Sequence, residues 1–486
     1  MIINRSFKDF KFRHRSKKNQ IIYTSKKIKN DDEVINLIDN FLIEKNSFIF
    51  ESVEKGKIKG RYTIFGKNPD KIWEFNNNNS YLVKGKKRLR LKAKPYQLIE
   101  KIIEDFKFET PKKLPKICSL ISGYFSYDSI RYIEKIPNNC KNDLNLPDVR
   151  LLRPRTLVIH DNLKKEIFYI INIFNDEKVT DYKKKFNEIK NELSKLKIQS
   201  SIKNLIKSEN KIFKNIKVKS NTPKNKFINM VNKAKEYIKL GDIFQVVLSQ
   251  RFEAELKKKP IDIYKKLRIT NPSPFMFFFN FKDFQIVGAS PEILVRLRDN
   301  KITVRPIAGT RPRGKNNKED IFYEKDLLKD KKELSEHLML LDLGRNDAGK
   351  VSKINSVKVT ESFIIERYSH VMHIVSNVVG KYNKKFSKFK SLLAGFPAGT
   401  VSGAPKIRAM EIIDELEITR RKVYAGGIGY FSANGEFDTC IALRTAVAKN
   451  KKFYVQAGAG IVADSKPIKE YEETVNKAEA LINALR

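Results

Sequence analysis

The sequence predicts a mixed α/β chain whose sheets are largely antiparallel. Short runs rich in Val, Ile, Phe and Tyr recur along the chain between turn residues, as strands do. Three of them, VYAGGIGYFS, FDTCIALRTAVAKN and KFYVQAGAGIVA, follow one another closely enough to be joined by hairpins. Between such runs lie segments with apolar residues at helical spacing, so both kinds of layer are present.

In chain order, residues 47–66, 119–137, 151–162 and 168–174 read as strands with their turns. Residues 181–197 read as a helix, because Phe186, Ile189, Leu193 and Leu196 share one face. The polar, basic stretch from Ile198 to Lys224 reads as a linker between residues 1–197 and residues 225–486. The second half opens with a helix through KNKFINMVNKAKEYIKLGD, with Gly241 as its C-terminal glycine. FQVVLSQRFEAEL and PFMFFFNF read as strands, and ITVRPIAGT as a strand entering a turn. YEKDLLKDKKELSEHLMLLDLGRND reads as one long helix and PKIRAMEIIDELE as another. After the three hairpin-joined runs, KEYEETVNKAEALINALR closes as a helix. No repeat with a period of 20–50 residues occurs.

Composition bounds the functional class. The 486 residues are 41% hydrophobic, enough for a large core, and no apolar run is long enough for a membrane span. The basic N-terminus lacks the apolar segment of a secretory signal, so the expected compartment is the cytoplasm. Cys118, Cys140 and Cys440 form no CxxC pair, which disfavours a zinc site or disulfide framework. The formal charge of +42 suggests a nucleic-acid binder. Against that, the lysines are spread over the whole chain, and Lys, Asn, Ile and Phe are abundant together, as A/T-rich codon usage produces. The expectation is therefore no nucleic-acid partner, and a positive field that attracts anionic ligands.

Several residues could carry chemistry. Glu333 and Glu336 lie one helical turn apart, as do Glu470 and Glu473, so each pair shares a helix face. Two such faces meeting would suit Mg²⁺, a hard cation that favours carboxylates and water. The ordinary alternative is solvated glutamates on Lys-rich helices. Gly426, Gly427 and Gly429, and Gly458 with Gly460, interrupt strands. Such glycines mark bulges or close backbone approach to a ligand, or simply a tight sheet crossing. Neither run has the strand–turn–helix context of a nucleotide loop. Of His337, His370 and His373, at most one is expected to work as an acid or base, and no zinc spacing occurs. Arg311, Arg313 and Arg444 are candidate carboxylate forks, the first two in a GTRPRG segment that reads as a mobile loop. No GxSxG elbow or GxCxG turn supports a covalent nucleophile.

Six segments together resemble the chorismate-utilising enzymes, and most closely the large subunit of anthranilate synthases. They are RPIAGTRPRG (305–314), KELSEHLMLLDLGRNDAGKVS (332–352), RYSHVMHIVSNVVG (367–380), FPAGTVSGAPKIRAMEIIDELE (396–417), YAGGIGYFSANGEFDTCIALRTA (424–446) and VQAGAGIVADSKPIKEYEETVNKA (455–478). In the first half, FESVEKGKIKGRYTIFG resembles the family's regulatory segment, whereas SLISGYFSYD departs from the glycine-rich form typical there. Gln245 stands where water-using members carry lysine, which disfavours water as nucleophile. Ala308 stands where aminodeoxychorismate synthases commonly carry lysine, which favours the anthranilate branch over that alternative.

The resemblance implies the chorismate-utilising fold, antiparallel sheets packed as a sandwich with flanking helices, and a regulatory first half. It implies Mg²⁺ held by Glu336 and Glu473, with Glu333 and Glu470 acting through water. Tyr424, Arg444 and the backbone of Gly458, Ala459 and Gly460 would bind chorismate. Glu292 would protonate the departing hydroxyl, for which burial must raise its pKa. Ammonia would add to the ring, and pyruvate elimination, linked to His373 with Thr400 in the pocket, would give anthranilate. The chain carries no amidotransferase signature, so a separate glutamine amidotransferase subunit is expected to supply the ammonia. Ser52, Pro274, Phe275 and Met276 map to the family's site for feedback inhibition by L-tryptophan.

Overall fold

The computed structural model describes residues 3–54, 57–58, 60–85, 87–202, 216–368 and 371–486, with side chains at 54, 57 and 58 excluded. Alternating apolar residues make the strands, and every ladder between them is antiparallel, as in the pairing of Gln245–Glu255 with Lys452–Ile461. Among the described residues, 22 strands are linked by hydrogen-bonded ladders into one sheet system.

Two strand paths position the site. In the first, Ser47–Glu51 pairs with Phe275–Asn280, which pairs with Gln285–Ser290, then Thr445–Lys449, Lys452–Ile461 and Gln245–Glu255. In the second, Val149–Asp161 pairs with Leu120–Phe125, then Gly427–Ser432, Phe437–Ile441 and Ile293–Arg298. Both paths contain strands from each half of the chain. Large aromatic side chains fill the interior, among them Tyr124, Phe48, Phe277 and Phe279, each less than 2% exposed.

Some elements differ from the sequence expectation for clear physical reasons. The segment expected as one long helix is two, Asn317–Leu327 and Lys331–Gly349. Asp330 interrupts it: its carboxylate accepts from the backbone N–H groups of Lys332 and Glu333, starting the second helix as an N-cap. FDTCIALRTAVAKN is two strands, Phe437–Ile441 and Thr445–Lys449, because Arg444 lies at φ +45° between them. GTRPRG is no loose loop, since Ile307–Pro312 is a strand paired with Val371–Lys381. The helix from Tyr182 runs to Ser201, and Val218–Ser220 pairs with the strand Gln245–Glu255. Part of the expected linker, residues 203–215, lies outside the described residues. Gly241, at φ +83°, follows the helix Lys224–Lys239 in the left-handed conformation expected of it. No helix among the described residues is long and apolar enough to cross a membrane.

Candidate active site

The helices Lys331–Gly349 and Pro467–Ile482 bring their carboxylates to the strand end formed by Gln245 and Gly460. Gln245 Nε2 donates to Glu336 Oε1 at 2.9 Å. A Cβ on Gly460 would meet Gln245 Nε2 at 2.6 Å and Glu336 Oε1 at 3.7 Å, so this glycine leaves room for both side chains. Glu473 pairs with Lys477 at 2.6 Å, and Lys477 Nζ donates to the Gly458 carbonyl at 3.1 Å. Burial lowers the Lys332 pKa, but its bond to Asp464 and the charges of Glu470 and Glu336 outweigh this and raise it. One ammonium therefore feels carboxylates from both helices. Burial raises Glu333, with Glu336 adding repulsion and Arg311 opposing it. Burial also raises Glu470, opposed by a Ser465 hydrogen bond, with Glu473 adding repulsion.

This donor set fits Mg²⁺. Glu333 and Glu336 repel one another on one helix and Glu470 and Glu473 on the other, and Lys332 responds to Glu336 and Glu470 together, so a cation there relieves charge. Among the described residues no three His, Cys, Asp or Glu side chains close into a ligand set. A hard cation that keeps several waters and takes one or two carboxylates needs no such set.

The glycine strand forms the facing wall. Gly458, Ala459 and Gly460 pair with Ser249, Leu248 and Val247. A Cβ on Gly458 would lie 2.7 Å from the Tyr424 hydroxyl and 2.9 Å from the Leu248 carbonyl, so only glycine fits. Burial pushes the Tyr424 phenol up to about 12; Arg421 opposes this, while Glu417 and Glu473 add to it. Burial lowers Arg444, partly offset by Tyr368, and Arg444 has no carboxylate partner among the described residues. It is thus a cation available to an anionic ligand.

Glu292 follows the strand Gln285–Ser290 and is 5% exposed. Burial raises its pKa to about 8, opposed by the Thr400 hydroxyl and the Ile307 backbone. Thr400 Oγ1 lies 3.2 and 3.3 Å from the two carboxyl oxygens. This is an acid that carries its proton at neutral pH.

Burial lowers His373 to about 4, opposed by the Gly309 carbonyl and reinforced by the charges of Arg444 and Lys477. Its Nδ1 lies 3.0 Å from Thr310 Oγ1 and 3.1 Å from the Gly309 carbonyl, which can only accept. Nδ1 therefore carries the hydrogen and Nε2 the lone pair. His337 is buried against Phe363 and bonded to Ser376, and it serves the core. His370 lies outside the described residues.

The two other arginines singled out in the sequence are occupied. Arg311 pairs with Asp326, Asp330 and Glu333, and Arg313 with Asp320. Away from the glycine strand, the ladder residue Glu51 faces Met276, and Val53 N–H donates to the Ser273 carbonyl at 3.2 Å. Ser52 and Pro274–Met276 are thereby neighbours. Behind them Glu51 is buried and accepts from Tyr264 and Arg268 at 2.5 and 2.8 Å. Sequence reasoning missed Lys477, whose spacing from Glu473 looks like any surface helix pair.

The chain belongs to the chorismate binding enzyme family, whose model matches residues 45–483. Within that family it is 46% identical over 484 residues to anthranilate synthase component 1 of Cereibacter sphaeroides, covering 99% of this chain and 97% of that protein. It is 45% identical to anthranilate synthase component 1 of Pseudomonas aeruginosa, covering 90% of each. The crystal structure of anthranilate synthase component I from Streptococcus pneumoniae superposes with a TM-score of 0.78 at 38% identity, covering 88% of this chain and 93% of that one. The menaquinone-specific isochorismate synthase from Escherichia coli shares the fold, with a TM-score of 0.71 at 17% identity over 96% and 95% of the two chains.

Proposed function

We propose that the chain converts chorismate and ammonia to anthranilate, pyruvate and water, as the first committed reaction toward tryptophan, in the cytoplasm. The observation that carries this reading is Glu292, a buried acid with a pKa near 8 held by Thr400, in a chain whose strand glycines and opposed carboxylates accommodate a small dianion and a cation. Arg444, Tyr424 and the Gly458–Gly460 backbone bind the carboxylates and polar groups of chorismate. Glu292 gives its proton to the departing ring hydroxyl, which leaves as water while ammonia adds to the ring. His373, neutral with its lone pair on Nε2, assists the second step, in which a ring proton is lost, the enolpyruvyl C–O bond breaks and pyruvate departs. Mg²⁺, held by Glu336 and Glu473 with Glu333 and Glu470 behind water, would neutralise the ring carboxylate and fix its orientation. Catalysis is then mainly positioning and electrostatics.

Ammonia comes from a separate glutamine amidotransferase subunit, a reading supported by relatives named as component 1. L-Tryptophan inhibits by binding where Ser52 adjoins Pro274, Phe275 and Met276, a reading supported by their adjacency across the ladder. Residues 1–197 form the regulatory part and residues 225–486 the catalytic part.

The test is turnover of chorismate with MgCl₂ and ammonium chloride. Anthranilate fluorescence with equimolar pyruvate is expected, falling on addition of tryptophan. With glutamine in place of ammonium, the isolated chain is expected to be silent. Accumulation of a non-aromatic amino product without pyruvate would instead assign the aminodeoxychorismate reaction.

A further inference from the structure

One buried ion pair beside the site has no part in the roles above. Arg421 and Glu417 have side chains 1% and 3% exposed and lie 2.6 Å apart. Arg421 Nη1 donates to the Val401 carbonyl at 2.7 Å and Nη2 to the Val247 carbonyl at 2.6 Å. Its Nε donates to Glu417 Oε2 at 3.0 Å, and its guanidinium lies 4.7 and 5.6 Å from the ring centres of Tyr127 and Tyr424. Glu417 Oε1 accepts from the Ser249 backbone N–H and hydroxyl, both at 2.8 Å.

The hydrogen bonds that leave the pair end next to residues of the proposed site. Val401 follows Thr400 in the short turn Gly399–Val401. Val247 is the ladder partner of Gly460, and Ser249 of Gly458. Tyr424 is itself under the guanidinium. We infer that Arg421, neutralised by Glu417, is a positioning residue that fixes Thr400, Tyr424 and the Gly458–Gly460 strand relative to one another. The inference rests on the chorismate reading of the site. A fully buried ion pair commonly stabilises a fold no more than apolar side chains of the same size, so stability alone does not account for it. The geometry requires a planar fork: three elements are reached by three differently directed N–H groups, which the single ammonium of lysine cannot reproduce.

The test compares wild type with two variants, Arg421→Met combined with Glu417→Gln, and Arg421→Lys. Measurements are thermal unfolding and steady-state kinetics with chorismate, MgCl₂ and ammonium. The double variant leaves no uncompensated buried charge and is expected to melt within a few degrees of wild type. Its KM for chorismate is expected to rise about tenfold or more, and its kcat to fall about tenfold or more. Arg421→Lys is expected to lie between. A fold-only role removes active molecules, lowering apparent kcat in step with melting temperature at unchanged KM; that pattern, or wild-type kinetics in the double variant, overturns the inference. Failure of wild type to consume chorismate would overturn the function reading instead.

Discussion

Replacing Glu292 by Gln should move stability and activity in opposite directions. The folded protein holds this carboxyl near pKa 8 against an ordinary value of 4.5, because burial disfavours its charge. A group raised in the folded state contributes its full stability below the unfolded value and loses it as pH rises through the folded value. Keeping it protonated at pH 7 therefore costs about 3 kcal/mol, and above pH 8 the cost levels at about 5 kcal/mol. Glutamine is neutral throughout and can still accept from Thr400 and the Ile307 backbone. Relative to wild type, Glu292→Gln should gain roughly 3 kcal/mol between pH 4.5 and 7. Urea unfolding at pH 5, 6, 7 and 8 measures this. Turnover should fall by about 10²–10⁴, since the proton donor is gone. In wild type, kcat/KM should decline above a pKa near 8, and that decline should vanish in the variant. A stability difference that stays flat with pH would refute the neutral acid. Near-normal turnover would refute its role.

Four other outcomes are expected. Thr400→Val removes a hydrogen bond that favours the charged form of Glu292, so the alkaline decline of kcat/KM should move to higher pH and kcat should drop about tenfold. Gly458→Ala places a methyl group 2.7 Å from the Tyr424 hydroxyl and 2.9 Å from a backbone carbonyl; KM for chorismate should rise at least about tenfold, with about 1–3 kcal/mol lost in urea unfolding. Glu336→Gln should abolish Mg²⁺-dependent turnover in the ammonium assay, and retained activity would remove Glu336 from the metal site. Asp330→Ala deletes the cap of the helix that carries Glu333 and Glu336, and should lower stability by about 1 kcal/mol with a measurable drop in melting temperature.

Sequence periodicity was informative where packing is one-sided and local. The helices around Phe186 and Met230 and the hairpin-joined strands after Val423 stand close to where their apolar spacing puts them. It failed where one side chain overrides the pattern. Asp330 ends and restarts a helix by accepting two backbone N–H groups, and Arg444 breaks a strand by its positive φ. Carboxylate spacing announced Glu333 with Glu336 and Glu470 with Glu473, but not that one member of each pair, Glu336 and Glu470, acts on the same ammonium, which depends on two helices far apart in the chain meeting. The sequence also left Arg311 looking like a free fork, whereas three carboxylates from two neighbouring helices and the cap between them, Asp326, Asp330 and Glu333, occupy it. Glu292 stood out only through resemblance, because nothing in SPE signals burial; the strands on either side of it create that.

The strand ladders also set a timetable for synthesis. Leu120–Phe125 takes its place between Val149–Asp161 and Gly427–Ser432, and Ser47–Glu51 needs Phe275–Asn280. The first strand leaves the ribosome roughly 300 residues before its later neighbour, about 15–60 s at ordinary elongation rates. During that interval its unpaired edge is open to other chains. The protein's yield in a heterologous host should therefore respond to growth temperature and to chaperone supply more than its melting point would suggest.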